Sequence, residues 1–246
     1  MLKVRQIGDA QLHIPAPNAD LTQSHLLQSY ITILQEVNNL YGGVGIACNQ
    51  CAGISNPIKL FLVGVDDQKA RIAAQARYPN ETIPNITIML NPKIVSYSQE
   101  TYYPLYGEGC LSVLGPLRGK VQRYSSIQVQ YQTLEGNIIA RQATGFEAHI
   151  IQHEYDHLQG IVYLQRIFED CTLSQKDLII TLLNKEINSR KNDDSYNHHL
   201  GTNKPVLIFD RQEEQVVFDP VLLSSLLTQL DSSTLMGIKQ CLQSPC

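Results

Sequence analysis

The sequence has no excess of basic residues and no long apolar run. Its 19 Lys and Arg stand against 23 Asp and Glu, a formal net charge of -4. Composition therefore gives no indication of a nucleic-acid ligand, and we expect no sequence-specific binding of nucleic acid. No apolar stretch approaches the roughly 20 residues that a membrane-spanning helix needs, so we expect no membrane partner.

Cysteine is also scarce. Its six positions (48, 51, 110, 171, 241 and 246) are too few and too scattered for a disulfide scaffold. The amino terminus, MLKVRQIGDAQL, lacks the apolar core of a signal peptide and the Arg- and Ser-rich pattern of a transit peptide. We therefore expect a cytoplasmic protein whose cysteines are thiols, with a metal as a candidate partner for one or more of them.

What the chain does contain is an ordinary globular composition, with 43% hydrophobic and 17% charged residues. Apolar periodicity predicts helices over residues 18–40 and 146–158. Strands are predicted over residues 44–47, 59–63, 86–97, 126–131 and 138–140. The polar stretch 66–84 is interpreted as an inserted surface loop. Most predicted strands precede the second predicted helix in the chain. This order predicts an α+β fold with mainly antiparallel sheets around a central helix.

The strongest local signal is QHEYDH at residues 152–157, an HExxH pattern on the second predicted helix. His153 and His157 share one helix face, about 6 Å apart along the axis, so both imidazoles can reach one metal. Glu154 stands beside them, where it can take a proton from a bound water without being a ligand. Such a pattern arises by chance in on the order of one chain in a hundred of this length, so it does not identify the site alone.

Two neighbouring patterns do not supply a third ligand. His149 lies on the same helix face, four residues before His153. The helix rises about 12 Å from His149 to His157, too far for one tetrahedral ion to hold all three histidines. We expect His149 to be a packed or hydrogen-bonded side chain. The metzincin spacing HExxHxxGxxH holds until its last position, where Tyr163 replaces the histidine. The third ligand must come from elsewhere, with the cysteines and many carboxylates as candidates.

Cys110 stands out among these candidates because of its context, GEGCLS at residues 107–112. Glycine lets the backbone approach a ligand closely. One thiolate with two imidazoles gives a tetrahedral site with one open position, as in a catalytic zinc or ferrous centre. A Gly-Cys-Leu-Ser sequence on its own is more often a buried thiol than a ligand.

Three segments together resemble one family. GVGIACNQ (43–50), EGCLS (108–112) and QHEYDH (152–157) resemble, in this order, the motifs GxGxAAxQ, EGCLS and HExDH of the peptide deformylases. The resemblance runs roughly from Lys3 to Ile167. The fold that it implies is peptide deformylase-like, with the HExxH pattern on the central helix.

The resemblance also implies roles for individual residues. Glu154 would be the general base and later the acid, and Gln50 with the backbone N–H of Leu111 would form the oxyanion hole. The implied metal ligands are Cys110, His153 and His157. The implied substrate-binding residues are Val44, Gly45 and Gly109, the glycines by exposing backbone to the peptide and the valine by bordering the methionine pocket.

The implied reaction is hydrolysis of the N-terminal formyl group of N-formylmethionyl peptides during translation in bacteria, with release of formate. The implied cofactor is one divalent metal ion per chain, usually Fe2+, with Zn2+, Ni2+ or Co2+ also able to occupy the site. The partners would be the nascent N-formylmethionyl polypeptide and the ribosome near the exit tunnel, with residues 173–190 as the candidate contact. The alternative for these residues is an amphipathic helix that packs on its own domain.

Two alternatives stay open on the sequence. The first alternative is that the protein is another metal-dependent amidase or protease. The context of Cys110 and the tyrosine at position 163 argue against it. A non-catalytic, metal-containing homologue that acts as a binding or regulatory protein is the other. The presence of Glu154 and Gln50 disfavours it, since a structural metal site needs neither.

The chain also departs from the family pattern. It has an insertion after the second strand and a long tail, so we predict a catalytic deformylase-like domain over residues 1–170. Residues 171–246 would be an extension of unknown role, with an amphipathic helix, a polar linker and a small helical and hairpin segment. Cys48 replaces a usual alanine in GIACNQC (45–51), which is interpreted as a strand. Cys48 and Gln50 would then share one face and Cys51 the other, so this CxxC is neither a redox pair nor half of a zinc site.

Overall fold

The computed structural model of the chain describes residues 2–113, 117–190, 206–212 and 215–243. The helices are α1 (Ser24–Tyr41), α2 (Gln68–Arg77), α3 (Gly145–Leu158), α4 (Tyr163–Asp170), α5 (Leu173–Ser189), α6 (Pro220–Leu227) and α7 (Ser232–Gln243). The strands are β1 (Gly45–Ala47), β2 (Leu60–Val63), β3 (Thr87–Tyr97), β4 (Thr101–Tyr102), β5 (Leu117–Gly119), β6 (Arg123–Tyr124), β7 (Ser126–Gln132), β8 (Ile138–Thr144), β9 (Val206–Gln212) and β10 (Gln215–Val217). Short 3-10 helices span Ala10–His13 and Cys48–Gln50.

The chain divides into two compact units. The first unit comprises Met1–Arg5, Ala10–Tyr102 and Gln122–Ile161, and the second comprises Gln6–Asp9, Tyr103–Val121 and Val162–Cys246. These units do not follow the predicted boundary at residue 170. The division into a catalytic domain and an extension stays a prediction, since it concerns function.

The first unit is built on a five-stranded sheet in the order β1-β2-β3-β7-β8, and all its neighbouring strands are antiparallel. The β2 sequence LFLV is buried at every position, whereas β7 alternates, with Ile127, Val129 and Tyr131 turned inward. Helix α3 packs against β1 and β2. Antiparallel sheets with the HExxH helix packed on them confirm the predicted α+β fold.

The second unit has a smaller sheet in the order β10-β9-β5, in which β9 runs parallel to β5 and antiparallel to β10. Its buried apolar core draws on all the helices from α4 to α7. Members from the different elements include Leu117, Leu164, Leu183, Phe209, Leu226 and Leu235. Residues from the predicted tail therefore share one core with residues from the region of the second motif.

Several local predictions need correction. The stretch predicted to be a loop contains α2, which Asp67 caps by accepting a hydrogen bond from the Ala70 amide at 2.8 Å. The sequence predicts a helix capped by Ser174 and running through Ile187, whereas α5 begins two residues earlier, at Leu173, and its cap is Thr172. Helices α4 and α7 were not predicted. The predicted polar linker, residues 188–204, lies mostly outside the described residues. Within the described part of the chain, no helix is both long and apolar enough to cross a membrane.

Candidate metal centre

Helix α3 carries the two histidines of the HExxH pattern. Their rings lie edge to face, with centroids 4.9 Å apart and an interplanar angle of 84°. His157 is fully buried, and its backbone carbonyl accepts a hydrogen bond of 2.6 Å from Nδ2 of Asn49. This bond ties the end of α3 to the 3-10 helix at Cys48–Gln50. The four-residue spacing thus places both imidazoles on one face, as the sequence predicts.

Glu154 lies on the buried side of α3, and the sequence makes room for it with a glycine. A Cβ atom on Gly45 would lie 2.7 Å from Oε1 of Glu154 and 2.7 Å from Cγ2 of Ile150. Both distances are too short for non-bonded contact, so β1 and α3 can approach this closely only because residue 45 has no side chain. The substrate-binding role of Gly45 stays a prediction, as does that of Val44, whose carbonyl accepts a hydrogen bond from the Gly64 amide at 2.7 Å.

The close contact at Gly45 yields a prediction. Replacing Gly45 with alanine should displace the Glu154 carboxylate, because the new methyl group needs the space that Oε1 occupies. We expect activity to fall about 10²-fold, the usual effect of misplacing a reacting group by about 1 Å. Metal content measured by mass spectrometry should not change. Full activity in a folded Gly45→Ala protein would contradict the proposed importance of the carboxylate position.

Gln50 does not lie on a strand. The strand interpretation of GIACNQC is wrong, because β1 ends at Ala47 and residues 48–50 form a 3-10 helix. Oε1 of the buried Gln50 side chain accepts a hydrogen bond of 2.7 Å from the Ala47 amide. Because a backbone N–H is a donor only, the atom facing it must be the carbonyl oxygen, and Nε2 is left as the donor end of the side chain. The fold thus fixes the direction in which Gln50 donates.

Arg5 holds the segment that follows Gln50, a role that the sequence did not indicate. Its buried guanidinium donates to the carbonyl oxygens of Asn49, Cys51 and Ile54 at 3.0, 2.6 and 2.5 Å. Its backbone amide donates to the carbonyl of Gln50 at 2.7 Å. One cation therefore serves several buried carbonyls, which would otherwise lose their hydration uncompensated.

The two cysteines of the CxxC are free and completely buried. Burial raises the pKa of the Cys48 thiol to about 12, and it raises the pKa of Cys51 as well. A redox or metal-binding cysteine needs the opposite shift, since the thiolate is the reactive form. Both observations disfavour a redox or zinc role for this pair.

Cys110 lies between Gly109 and Leu111 and is partly buried in the second unit. Its Sγ accepts a hydrogen bond of 3.4 Å from the Ser112 amide. Gly109 makes room for Arg118, because a Cβ there would lie 2.9 Å from Nη1 of that arginine. The Leu111 carbonyl accepts a hydrogen bond from Gln6 Nε2 at 3.2 Å. The oxyanion role of the Leu111 amide stays a prediction.

Cys110, His153 and His157 form a group that could hold one metal ion. Each offers one ligand atom, and these atoms all lie within 4.8 Å of one another. One sulfur and two nitrogens suit zinc or ferrous iron. His149 is not in this group; its ring packs edge-on against Phe146, as predicted for a packed side chain. Tyr163, at the last metzincin position, is buried and donates to the Leu117 carbonyl at 2.9 Å.

Two further side chains of the third motif orient α3, and the sequence did not indicate their roles. Gln152 pairs with the backbone of Tyr124, accepting from its amide and donating to its carbonyl, both at 2.9 Å. Asp156 forms an ion pair of 2.8 Å with Arg123, and the two side chains are 10% and 6% exposed. These contacts attach both ends of the motif to the segment around β6.

The buried ion pair gives a stability prediction. Replacing Asp156 with asparagine should lower the free energy of unfolding by about 3–5 kcal/mol, because it leaves the Arg123 charge buried without its counter-ion. Urea denaturation measures this loss. The matched control is Glu147→Gln on the same helix, which breaks a pair with Arg141 whose side chains are 28% and 26% exposed. The control substitution should lower the free energy of unfolding by about 1 kcal/mol or less. Equal losses in the two variants would contradict the account of Asp156.

A helix that carries two imidazoles and a buried glutamate, with a thiol within ligand distance, defines a metal-dependent hydrolase. Comparison with known proteins agrees. A family model described as Polypeptide deformylase matches residues 1–172, so the chain belongs to the polypeptide deformylase family. This confirms the family resemblance and the enzyme class that the three motifs predicted.

Individual relatives support the same conclusion. Peptide deformylase 2 of Nostoc sp. is 34% identical over 171 residues, covering 68% of this chain and 86% of that protein. Peptide deformylase 2 of Bacillus subtilis is 34% identical over 149 residues, covering 61% and 73%. Among solved structures, a Met-Ala-Ser-bound class I type b peptide deformylase from Acinetobacter baumannii is similar, with 30% identity and a TM-score of 0.58. That match covers 68% of this chain and 98% of the other.

Proposed function

We propose that this protein hydrolyses the N-terminal formyl group of N-formylmethionyl peptides during translation in the bacterial cytoplasm, with release of formate. The observation that carries the proposal is the grouping of one thiol and two imidazoles in a chain of the polypeptide deformylase family. The similar Acinetobacter baumannii protein was solved with Met-Ala-Ser bound, which supports a peptide with amino-terminal methionine as the substrate class.

The residues proposed to hold the metal are Cys110, His153 and His157. The proposed ion is Fe2+, and zinc, nickel or cobalt would also suit a mixed sulfur and nitrogen donor set. When bound, such an ion supplies Lewis acidity, which polarises a carbonyl and lowers the pKa of bound water. Both histidines must present neutral rings to bind a metal, and Cys110 must present a thiolate.

Glu154 is proposed to move the proton. The residue is 3% exposed and its carboxylate borders the glycine of β1, so it is held in place by packing. It would accept a proton from the attacking water and later give it to the amine that leaves, since one group can serve as base and then acid. Glu154 follows His153 directly and precedes His157 by three residues, the HExxH arrangement in which the glutamate serves as the general base.

Gln50 and the Leu111 amide are proposed to stabilise the oxyanion that forms on the formyl oxygen. The bond from the Ala47 amide to Oε1 supports this role for Gln50, because it makes Nε2 the donor end of the side chain. Losing one such donor typically costs about 2.7–4 kcal/mol of transition-state stabilisation. We further propose that Val44, Gly45 and Gly109 border the bound peptide.

The proposed macromolecular partners are the nascent polypeptide and the ribosome near its exit tunnel. The contact proposed for α5 must use the outward face of that helix, because Ile179 and Leu183 are buried. Leu173, which is 81% exposed, lies at its beginning.

Formate release tests the proposed function. Anaerobically purified, iron-loaded protein should release formate from formyl-Met-Ala-Ser, and the same peptide without the formyl group should yield none. No formate above that background would overturn the assignment. Binding of the peptide without turnover would instead support the alternative of a non-catalytic homologue.

A further inference from the structure

We propose that residues 206–243 of the C-terminal extension position the loop that carries Cys110. The observation is that this loop is fixed to the extension on both sides of the cysteine. Every residue in the following steps belongs to the second unit. The consequence for catalysis rests on the proposed function, whereas the structural claim does not.

The first attachment lies two residues before the cysteine. Glu108 and Gly119 exchange two backbone hydrogen bonds, of 2.7 and 3.0 Å. Gly119 belongs to β5, which pairs in parallel with β9 of the extension, opposite Phe209. The next amide, of Lys120, donates to the Phe209 carbonyl at 2.8 Å, and the Lys120 ammonium pairs with Asp210 at 2.7 Å.

Side chains of β9 also fill the space above two glycines of this region. A Cβ on Gly119 would lie nearest to Cδ1 of Ile167 in α4, and 3.0 Å from Cβ of Phe209 in β9. A Cβ on Gly107 would lie 2.7 Å from Cδ1 of Leu207. Gly107 has φ of +61°, a conformation that favours glycine. The turn that leads into the second motif is therefore shaped to receive β9.

The second attachment lies two residues after the cysteine. The Ser112 carbonyl accepts a hydrogen bond of 2.7 Å from the Ile7 amide. Helix α7 of the extension packs directly on Ile7. A Cβ on Gly237 would lie only 1.9 Å from the Ile7 carbonyl oxygen and 2.8 Å from the Gly8 amide nitrogen. Such closeness requires glycine at position 237. Ser112 in turn donates its amide to Sγ of Cys110.

The cysteine thus lies between two fixed points, and both of them depend on the extension. Cys110 itself packs against the apolar core to which β9, α6 and α7 contribute. Groups that orient a metal ligand typically change metal affinity about 10–100-fold when they are lost. In this chain the extension supplies that orientation, so we assign Phe209 and Gly237 as positioning residues for Cys110.

Hydrogen–deuterium exchange of the full-length protein tests this inference without metal or substrate. Phe209→Ala keeps Cβ but removes the buried ring, whose Cδ2 would lie 3.4 Å from a Cβ on Gly119. Gly237→Ala forces α7 away from Ile7. Alanine has the higher helix propensity, by about 1 kcal/mol over glycine, so Gly237→Ala does not weaken α7 itself. Matched controls in the extension are Val221→Ala and Met236→Ala, whose side chains are 78% and 41% exposed.

We expect the amides of residues 108–113 to exchange about tenfold faster or more in both test variants and to be unchanged in both controls. The affinity for Co2+ should fall about 10–100-fold in the test variants. If Phe209→Ala does not fold, Phe209→Leu carries the same expectation with a smaller effect. Wild-type exchange at 108–113 in the folded variants, or acceleration spread evenly over both units, would overturn the inference.

The failure of this inference is distinguishable from the failure of the proposed function. A wild-type protein that releases no formate would refute the deformylase assignment and leave the exchange pattern to be judged on its own. A wild-type protein that releases formate, together with test variants that bind Co2+ normally, would refute only the positioning role.

Discussion

Replacing Glu154 with glutamine should lower the rate of formate release by about 10²–10⁴-fold, the usual contribution of a positioned general base. The substitution keeps the size of the side chain and removes its ability to accept a proton. Because Glu154 is not a proposed ligand, the metal content of the variant should equal that of the wild type. The measurement is turnover of formyl-Met-Ala-Ser, with metal content determined on the same samples.

The matched control is Glu147→Gln on the same helix, a half-buried carboxylate that pairs with Arg141. It should retain wild-type turnover. A Glu154→Gln protein that keeps its metal and also keeps its activity would show that another group moves the proton.

Replacing Cys110 with alanine should abolish high-affinity metal binding. Because one of three proposed ligands is lost, we expect the metal affinity to fall by more than the roughly 10–100-fold that is typical when a residue only orients a ligand. Titration with Co2+ measures the affinity, and the thiolate-to-cobalt absorption band should disappear. Activity should be lost with the metal.

The control for Cys110 is Cys48→Ala, which removes a fully buried thiol and restores the alanine that is usual at this position in the motif. It should bind metal like the wild type. Retained tight binding and an unchanged absorption band in Cys110→Ala would show that the proposed ligand set is wrong.

The part of the site that could be predicted is the part that helical spacing determines. His153 and His157 share a face because their spacing is close to one helical turn, and the structure has both on α3. Cys110 is far from them in sequence, so only the order of the three motifs connected it with the histidines. Local periodicity carries no information about which distant segments pack together.

Gln50 shows why a strand was predicted where none forms. The segment GIACNQC is buried at every position, including the polar Asn49 and Gln50, so it gives no alternation of exposure to distinguish a strand from a turn of helix. The 3-10 turn is closed by the Gln50 side chain and held by Arg5, which lies 45 positions earlier. The sequence identified the residue correctly but could not reveal the tertiary contacts that fix its direction.

The extension shows the same limit of prediction from sequence. Its hairpin was predicted over residues 206–209 and 216–218, and the antiparallel pairing of β9 with β10 confirms it. The parallel pairing of β9 with β5 could not be predicted, because nothing in either short strand specifies the partner. The glycine at position 237 is an unremarkable helix residue until Ile7 lies against it.

The central claim is that the metal centre cleaves a formamide and not an internal peptide bond. Mass spectrometry of formyl-Met-Ala-Ser treated with the iron-loaded protein tests it most directly, with formate measured in parallel. The account predicts intact Met-Ala-Ser and formate in equal amounts, both dependent on Glu154. Fragments cut within the tripeptide, or unchanged formyl-Met-Ala-Ser after treatment with metal-loaded protein, would contradict it.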